Sequence, residues 1–145
     1  MPTELGEPYS LTWRGDPPHM LKADLPIWYR FLDKYGSPFI RVYYDVLLGG
    51  PFLTEEDRKD PLKKDWRYLT AKRMDALAEL LEEIWLIEVV HVAGMRSLGQ
   101  CQAYLELWLL DPKIDKPPRK VLIAETIDDD LLTAAAAMRI LTFLV

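Results

Sequence analysis

Apolar residues along this chain switch between two periods, and the switches mark out its elements. Asp24 and Pro26 suit an N-cap and a first-turn proline, and Ile27, Trp28, Phe31, Leu32 and Tyr35 then recur at helical spacing until Gly36. Over residues 39–48 the pattern shortens to alternation. Ile40, Val42, Tyr44, Val46 and Leu48 stand against Arg41, Tyr43 and Asp45, which predicts a strand ended by Gly49, Gly50 and Pro51. Residues 52–67 carry mixed charge. They predict a solvated connection, or a loop that meets a partner or DNA, with Thr54 and Asp57 capping one short helical turn. A β-hairpin follows. Its first strand carries Asp75; its second, residues 84–92, is apolar on both faces except at Glu88, as a central covered strand is. Gly94 breaks that strand, Ser97 with Gln100 makes a capping box, and Leu98, Cys101, Leu105, Trp108 and Leu109 form a helical stripe. Residues 113–120, with Pro117 and Pro118, read as a turn and residues 121–127 as a short strand. Asp128, Asp129 and Asp130 then head a helix, and a last strand starts at Ile140.

This order predicts an α/β domain over residues 24–145: a mixed central sheet flanked by helices, with an α-β-β-β-α-β core. The helix after the third strand should carry a right-handed crossover to a parallel fourth. Residues 1–23 hold Pro2, Gly6, Pro8, Gly15, Pro17 and Pro18, a density that disfavours regular structure. They also hold Tyr9, Leu11, Trp13 and Met20. Such an extended arm either docks on another subunit or wraps its own domain. His19, beside the prolines, receives no chemistry from the pattern.

A carboxylate inside an apolar strand is costly unless paired, ligated or protonated, so Glu88 is the most informative residue of the chain. If the hairpin turn has an even number of residues, Asp75 and Glu88 share a face. A turn at Leu81-Glu82 sets them directly opposite; one at Glu82-Glu83 offsets them by a diagonal. Two such carboxylates are what an oxygen-ligated Mg²⁺ needs. The plainer alternative pairs Glu88 with Lys72 or Arg73. Asp45 is either a third acid of this site or a solvent-facing strand residue.

Three segments carry a resemblance: Arg73-x-Asp75-Ala76-x-Ala78, Ile87-Glu88-Val89 and Gly99-Gln100-x-x-x-Tyr104. Together with the element order, they make residues 24–145 resemble the PD-(D/E)XK restriction-endonuclease-like superfamily. The resemblance implies that Asp75 and Glu88 hold a divalent metal and that Gln100 faces the site. It also implies a lysine two residues after the glutamate, and that position is Val90. A valine cannot stabilise hydroxide or donate to a phosphate oxygen. Lys72 or Arg73 would have to replace the missing cation, since His91 should point to the opposite face. The departure implies a degenerate member that keeps the fold, with no cofactor. A softer resemblance joins the stretch from Asp24 to Leu32, and the Tyr43-Tyr44-Asp45-Val46 strand, to small proteins of tailed bacteriophages, some of them head-completion and neck components. The expectation is therefore a non-catalytic structural protein of a virion head–tail region, homo-oligomeric and joined to protein partners through the arm. The alternatives are a Mg²⁺-dependent DNA nuclease with a displaced cation, and a protein that binds DNA without cutting it.

Composition narrows this further. The 145 residues suit one domain, and the net charge of −5 argues against wholesale binding of nucleic acid by charge. The single cysteine, Cys101, permits no internal disulfide, fits a reducing compartment, and reads as a small core residue rather than a nucleophile. No apolar run is long enough for a membrane span, and the acidic start is unlike a signal peptide. A soluble protein of the cell interior, or of a virion, is expected.

Overall fold

The computed structural model describes residues 2–145, and among these the two periods become one five-stranded sheet with four α-helices around it. In chain order these are α1 (Leu25–Tyr35), β1 (Arg41–Leu48), α2 (Pro61–Thr70), β2 (Lys72–Glu79), β3 (Ile84–Ala93), α3 (Met95–Leu110), β4 (Pro118–Ile127), α4 (Asp129–Ala137) and β5 (Ile140–Leu144). The strands lie in sequence order across the sheet. β1, β2 and β3 are antiparallel neighbours, while β4 and β5 run parallel to β3. The expected α/β class with a mixed sheet is what forms.

Consecutive parallel strands joined by helices, each stepping the same way, place both crossover helices on one face. Leu98, Cys101, Tyr104 and Trp108 of α3 and Ala135 of α4 are accordingly buried there, against Leu86, Leu122 and Ala124. The other face is covered by α1, whose Ile27, Trp28, Phe31 and Leu32 pack on Val42, Ala76, Ile87, Val89, Val121 and Ile123. The sheet is thus apolar on both sides, which is why β3 reads as a nearly continuous hydrophobic run.

The alternation predicted for β1 is interrupted at Asp45, which takes a left-handed backbone (φ 52°). Val42 and Tyr44 belong to the α1-side core; Val46 and Leu48 belong to the α3-side core with Tyr43. One residue outside the extended region moves every later side chain to the opposite face. On β2 the same exchange occurs at Asp75: Met74 lies in the α3-side core and Ala76 in the α1-side core. Asp75 stands opposite Asp45 in the register, so the two strands turn over together.

Other boundaries differ from the sequence reading. The charged stretch contains a helix, α2. Asp60 caps it by accepting the Leu62 N–H at 3.0 Å, and Pro61 occupies its first turn. Thr54 and Asp57 do form a reciprocal capping pair, at 3.2 and 3.1 Å, around the 3₁₀ turn Asp57–Lys59. The apolar residues of α2 escaped notice because they face outward: Leu62, Trp66 and Leu69 are 78%, 55% and 83% exposed, and only Arg67 of the helix is buried. α3 begins at Met95, before Ser97, whose hydroxyl accepts the Gly94 N–H at 3.4 Å from inside the helix; Gln100 is not its capping partner. β4 begins three residues early, at Pro118, a strand-initial position that costs no ladder bond. Lys120 is thereby buried, donating to Gln102 Oε1 at 2.6 Å and to the Met138 carbonyl at the end of α4.

The arm wraps its own domain. Glu4 and Leu47 exchange backbone hydrogen bonds at 2.9 and 3.0 Å, and Tyr9 and Val42 do so at 2.7 and 3.3 Å, along the outer edge of β1. Tyr9 and Trp13 pack around Tyr44, edge-on at 5.1 Å and tilted at 5.6 Å, and the Tyr44 hydroxyl accepts the Trp28 indole N–H at 2.9 Å. The aromatic side chains that recommended this arm for docking on another subunit are spent on this chain's own core.

Candidate functional site

The hairpin register pairs Ala76 with Ile87 and Glu79 with Ile84, so the turn is Leu81-Glu82 and Asp75 comes directly opposite Glu88. At that level the ladder opens. Asp75 is buried, and its Oδ2 accepts the Val89 backbone N–H at 2.9 Å in place of a strand–strand bond. The Glu88 carboxyl lies beside the Asp75 carboxyl and the Tyr104 hydroxyl, and its Oε2 is buried without a hydrogen-bond partner.

Both carboxyls are pushed well above the usual range, first by burial. The Val89 N–H and the adjacent Glu88 carboxyl pull Asp75 part of the way back. For Glu88 the charge of Asp75 adds to the upward push, so Glu88 is the member that keeps a proton. The charges acting most strongly on the pair are further acids, Asp24 on both and Asp45 on Asp75. The expected pairing of Glu88 with Lys72 or Arg73 does not form.

Of the two expected cations, only Arg73 is engaged by another side chain. Arg73 is held in a two-pronged ion pair with Asp45, Nε to Oδ1 at 2.8 Å and Nη2 to Oδ2 at 2.7 Å, and lies over the Tyr68 ring. That pair also corrects both readings of Asp45, which is neither a third site ligand nor solvent-facing: its side chain is 9% exposed. Lys72 lines an adjoining cleft with Arg73, Tyr68 and Tyr104. Lys120, on the neighbouring strand, is tied to Gln102 and α4. His91 points away, as expected, to Glu125 at 3.3 Å. Cys101 is buried and its thiol pushed up to about 12 by burial, which leaves an inert core residue.

The pair opens into a cleft of about 430 Å³ also lined by Val90, Gln100, His19, Asp24 and Arg96. Gln100 therefore faces the site, and Val90 stands on the wall where the resemblance asked for a lysine. Three of these residues were missed by sequence reasoning. Asp24 was assigned to capping α1, yet it makes no side-chain cap hydrogen bond; Pro26 has already removed one of the N–H groups that an N-cap acid serves. Its buried carboxylate is raised by burial instead. His19, in a left-handed conformation (φ 70°), stands where this cleft meets the adjoining one, and partial burial and the nearby Arg73 guanidinium hold its imidazole below the usual value. Arg96, exposed in the first turn of α3, is the one Lys or Arg on the cleft wall among the described residues. Nothing in the sequence marked it, because it lies outside the strand motifs.

Among the described residues, no group of three His, Cys, Asp or Glu side chains is placed to hold a metal ion. Asp75 and Glu88 still offer hard oxygen donors, one of them unpartnered, and Mg²⁺ is commonly held by one or two carboxylates with water completing its shell. The pair fits such an ion, and an ion there would take over from the proton that now relieves the charge.

No family model, curated protein or solved structure matches this chain. Among the described residues, no helix is long and apolar enough to cross a membrane.

Proposed function

We propose that this chain is a non-catalytic structural or assembly protein that carries the remnant of a nuclease-type carboxylate site. One observation carries the reading: Asp75 and Glu88 are brought face to face with acids as their strongest charged neighbours, and the position two residues after Glu88 presents a valine to the cleft. Phosphodiester hydrolysis needs a positioned base or cation as well as a metal. The nearby lysine and arginine of β2 line the adjoining cleft, the arginine in its ion pair with Asp45. The exposed stripe Leu62, Trp66 and Leu69 on α2 supports an assembly role, since contiguous apolar surface of this kind marks contact sites. The setting suggested by the Asp24–Leu32 resemblance is the head–tail region of a phage particle.

The second reading is a Mg²⁺-dependent DNA nuclease. Two observations favour it: the unpartnered Glu88 Oε2 and the presence of Arg96 on the same cleft wall. Asp75 and Glu88 would hold the ion, which would supply an activated water and charge stabilisation at a phosphate. Gln100 would orient the substrate and Arg96 would neutralise it.

Incubating the protein with linear and supercoiled DNA in Mg²⁺ and in Mn²⁺, beside Glu88→Ala and Arg96→Ala, decides between them. No cleavage in either metal is expected. Cleavage by the wild type that both substitutions abolish would overturn the non-catalytic reading.

A further inference from the structure

The two edges of the sheet are treated differently. The outer edge of β1 is occupied by the chain's own arm, through the Glu4–Leu47 and Tyr9–Val42 bridges. The outer edge of β5 is occupied by nothing among the described residues: β5 pairs with β4 alone and ends the strand order. An unpaired edge is usually protected by charge, proline, a bulge or a covering segment. β5 reads Ile140-Leu141-Thr142-Phe143-Leu144 and has none of these protections.

The direction of its backbone groups follows from one bond. Val145 N–H donates to the Ala124 carbonyl at 3.0 Å, so Val145 faces β4. By strand alternation Phe143 and Leu141 also face β4, and Ile140, Thr142 and Leu144 turn their N–H and C=O groups outward. We infer that this edge pairs with the β5 edge of a second copy of the chain, antiparallel about a two-fold axis at Thr142.

Self-complementarity singles out a second copy. With the axis at Thr142, Thr142 meets its own counterpart and Ile140 meets Leu144 of the other copy, on both sides of the axis. All three outward residues of each copy then lie in hydrogen-bonded pairs, for about six N–H···O bonds at two per pair. The cross-strand neighbours are Thr with Thr, Ile with Leu and Leu with Phe, with no like charges opposed, and each is a favourable sheet pair. Leu144, now 47% exposed, gains a neighbour. Because the arm blocks the β1 edge, the described residues of each copy leave one free edge, and the pairing closes at two copies instead of growing into a fibre. The product is a continuous sheet running through both protomers. This contact deepens the assembly reading above by naming its first step, and it does not depend on what the carboxylate cleft does.

The test is sedimentation and light scattering on the full chain over about 1 to 200 µM, a range wide enough to expose a mass-action equilibrium. A dimer is expected. Thr142→Pro removes an outward N–H at the axis, and Leu144→Lys places a charge against an apolar partner without touching the backbone. Each should weaken dimerisation by at least about tenfold, from the lost pairs, with an unchanged circular dichroism spectrum. Amide exchange gives a second readout: the Thr142 and Leu144 N–H groups should gain protection with protein concentration, while the Phe143 N–H is protected throughout. A wild type that stays monomeric, or a dimer that Leu144→Lys and Thr142→Pro leave intact, would refute the contact. The DNA assay above would stand either way, so failure of this contact and failure of the functional reading are separable.

Discussion

Replacing Glu88 by glutamine should stabilise this protein at neutral pH, by an amount that grows with pH. Glu88 is 9% exposed, its neighbour Asp75 is buried with it, and both carboxyls are raised by burial. The folded state therefore holds protons that the unfolded chain releases near the ordinary carboxyl range of about 4. By linkage, the stability tied to these protons is fully present below that range and is lost as pH rises toward the folded-state values. Each retained proton costs about 1.4 kcal/mol per pH unit. For Glu88 alone, between about pH 4.3 and 7, that sums to at most about 4 kcal/mol. Glutamine has the same shape and keeps a donor for Asp75, but it carries no such cost. The assay is urea unfolding of both proteins in EDTA at several pH values from about 4.5 to 8, extrapolated to water. The variant's advantage should be small at the acid end and widen with pH. A difference that stays flat within about 0.5 kcal/mol would refute the protonated pair. So would a wild type that gains on the variant as pH rises, since Glu88 would then be ionised and favourably paired. Adding Mg²⁺ gives the complementary result: if the pair takes up the ion, the wild type alone gains stability, by an amount set by mass action.

Three further outcomes follow from other parts of the molecule. Arg73→Ala leaves the nearly buried Asp45 carboxylate without its two-pronged partner and should cost about 2 kcal/mol in urea melts; adding Asp45→Asn to it should recover part of that loss. Trp13→Ala, or removal of residues 2–13, should destabilise the core itself, the single substitution by about 2 kcal/mol, because Trp13 packs on Tyr44 and Tyr9; unchanged thermal unfolding would contradict that packing. Cys101 should resist a thiol-specific disulfide reagent in the native protein and react fully in denaturant; rapid native labelling would show that the α3–β4 packing opens readily.

Local pattern alone determined a good deal here. The helical period of α1, the apolar run of β3 and the order of elements specify the α/β sheet and a hairpin that carries Asp75 and Glu88; the observed register then chose the Leu81-Glu82 turn, which sets the two directly opposite. The pattern could do so because side-chain periodicity is a property of short segments; two neighbouring turn positions fit the same letters, so the register was left to the packing of the sheet. Helix α2 escaped the same reasoning because its apolar stripe faces outward among charges, where it serves no core to which the pattern could be matched. The role of Asp24 escaped because an acid before a proline-headed helix has a sufficient local explanation; only the packing of α1 against the sheet turns that acid toward the cleft. The face exchange at Asp45 and Asp75 depends on one left-handed residue, and the alternating letters on either side look the same with or without it. The arm's destination was equally open. Whether Tyr9 and Trp13 meet this domain or another is a competition between surfaces far apart in sequence, and only their encounter with Tyr44 and the β1 edge decides it. Among the described residues, the same encounter leaves β5 as the one uncovered edge. Spacing could announce two carboxylates, but the tertiary arrangement decided what stands around them: acids, a valine, and Arg96 on the wall, with Arg73 held by Asp45.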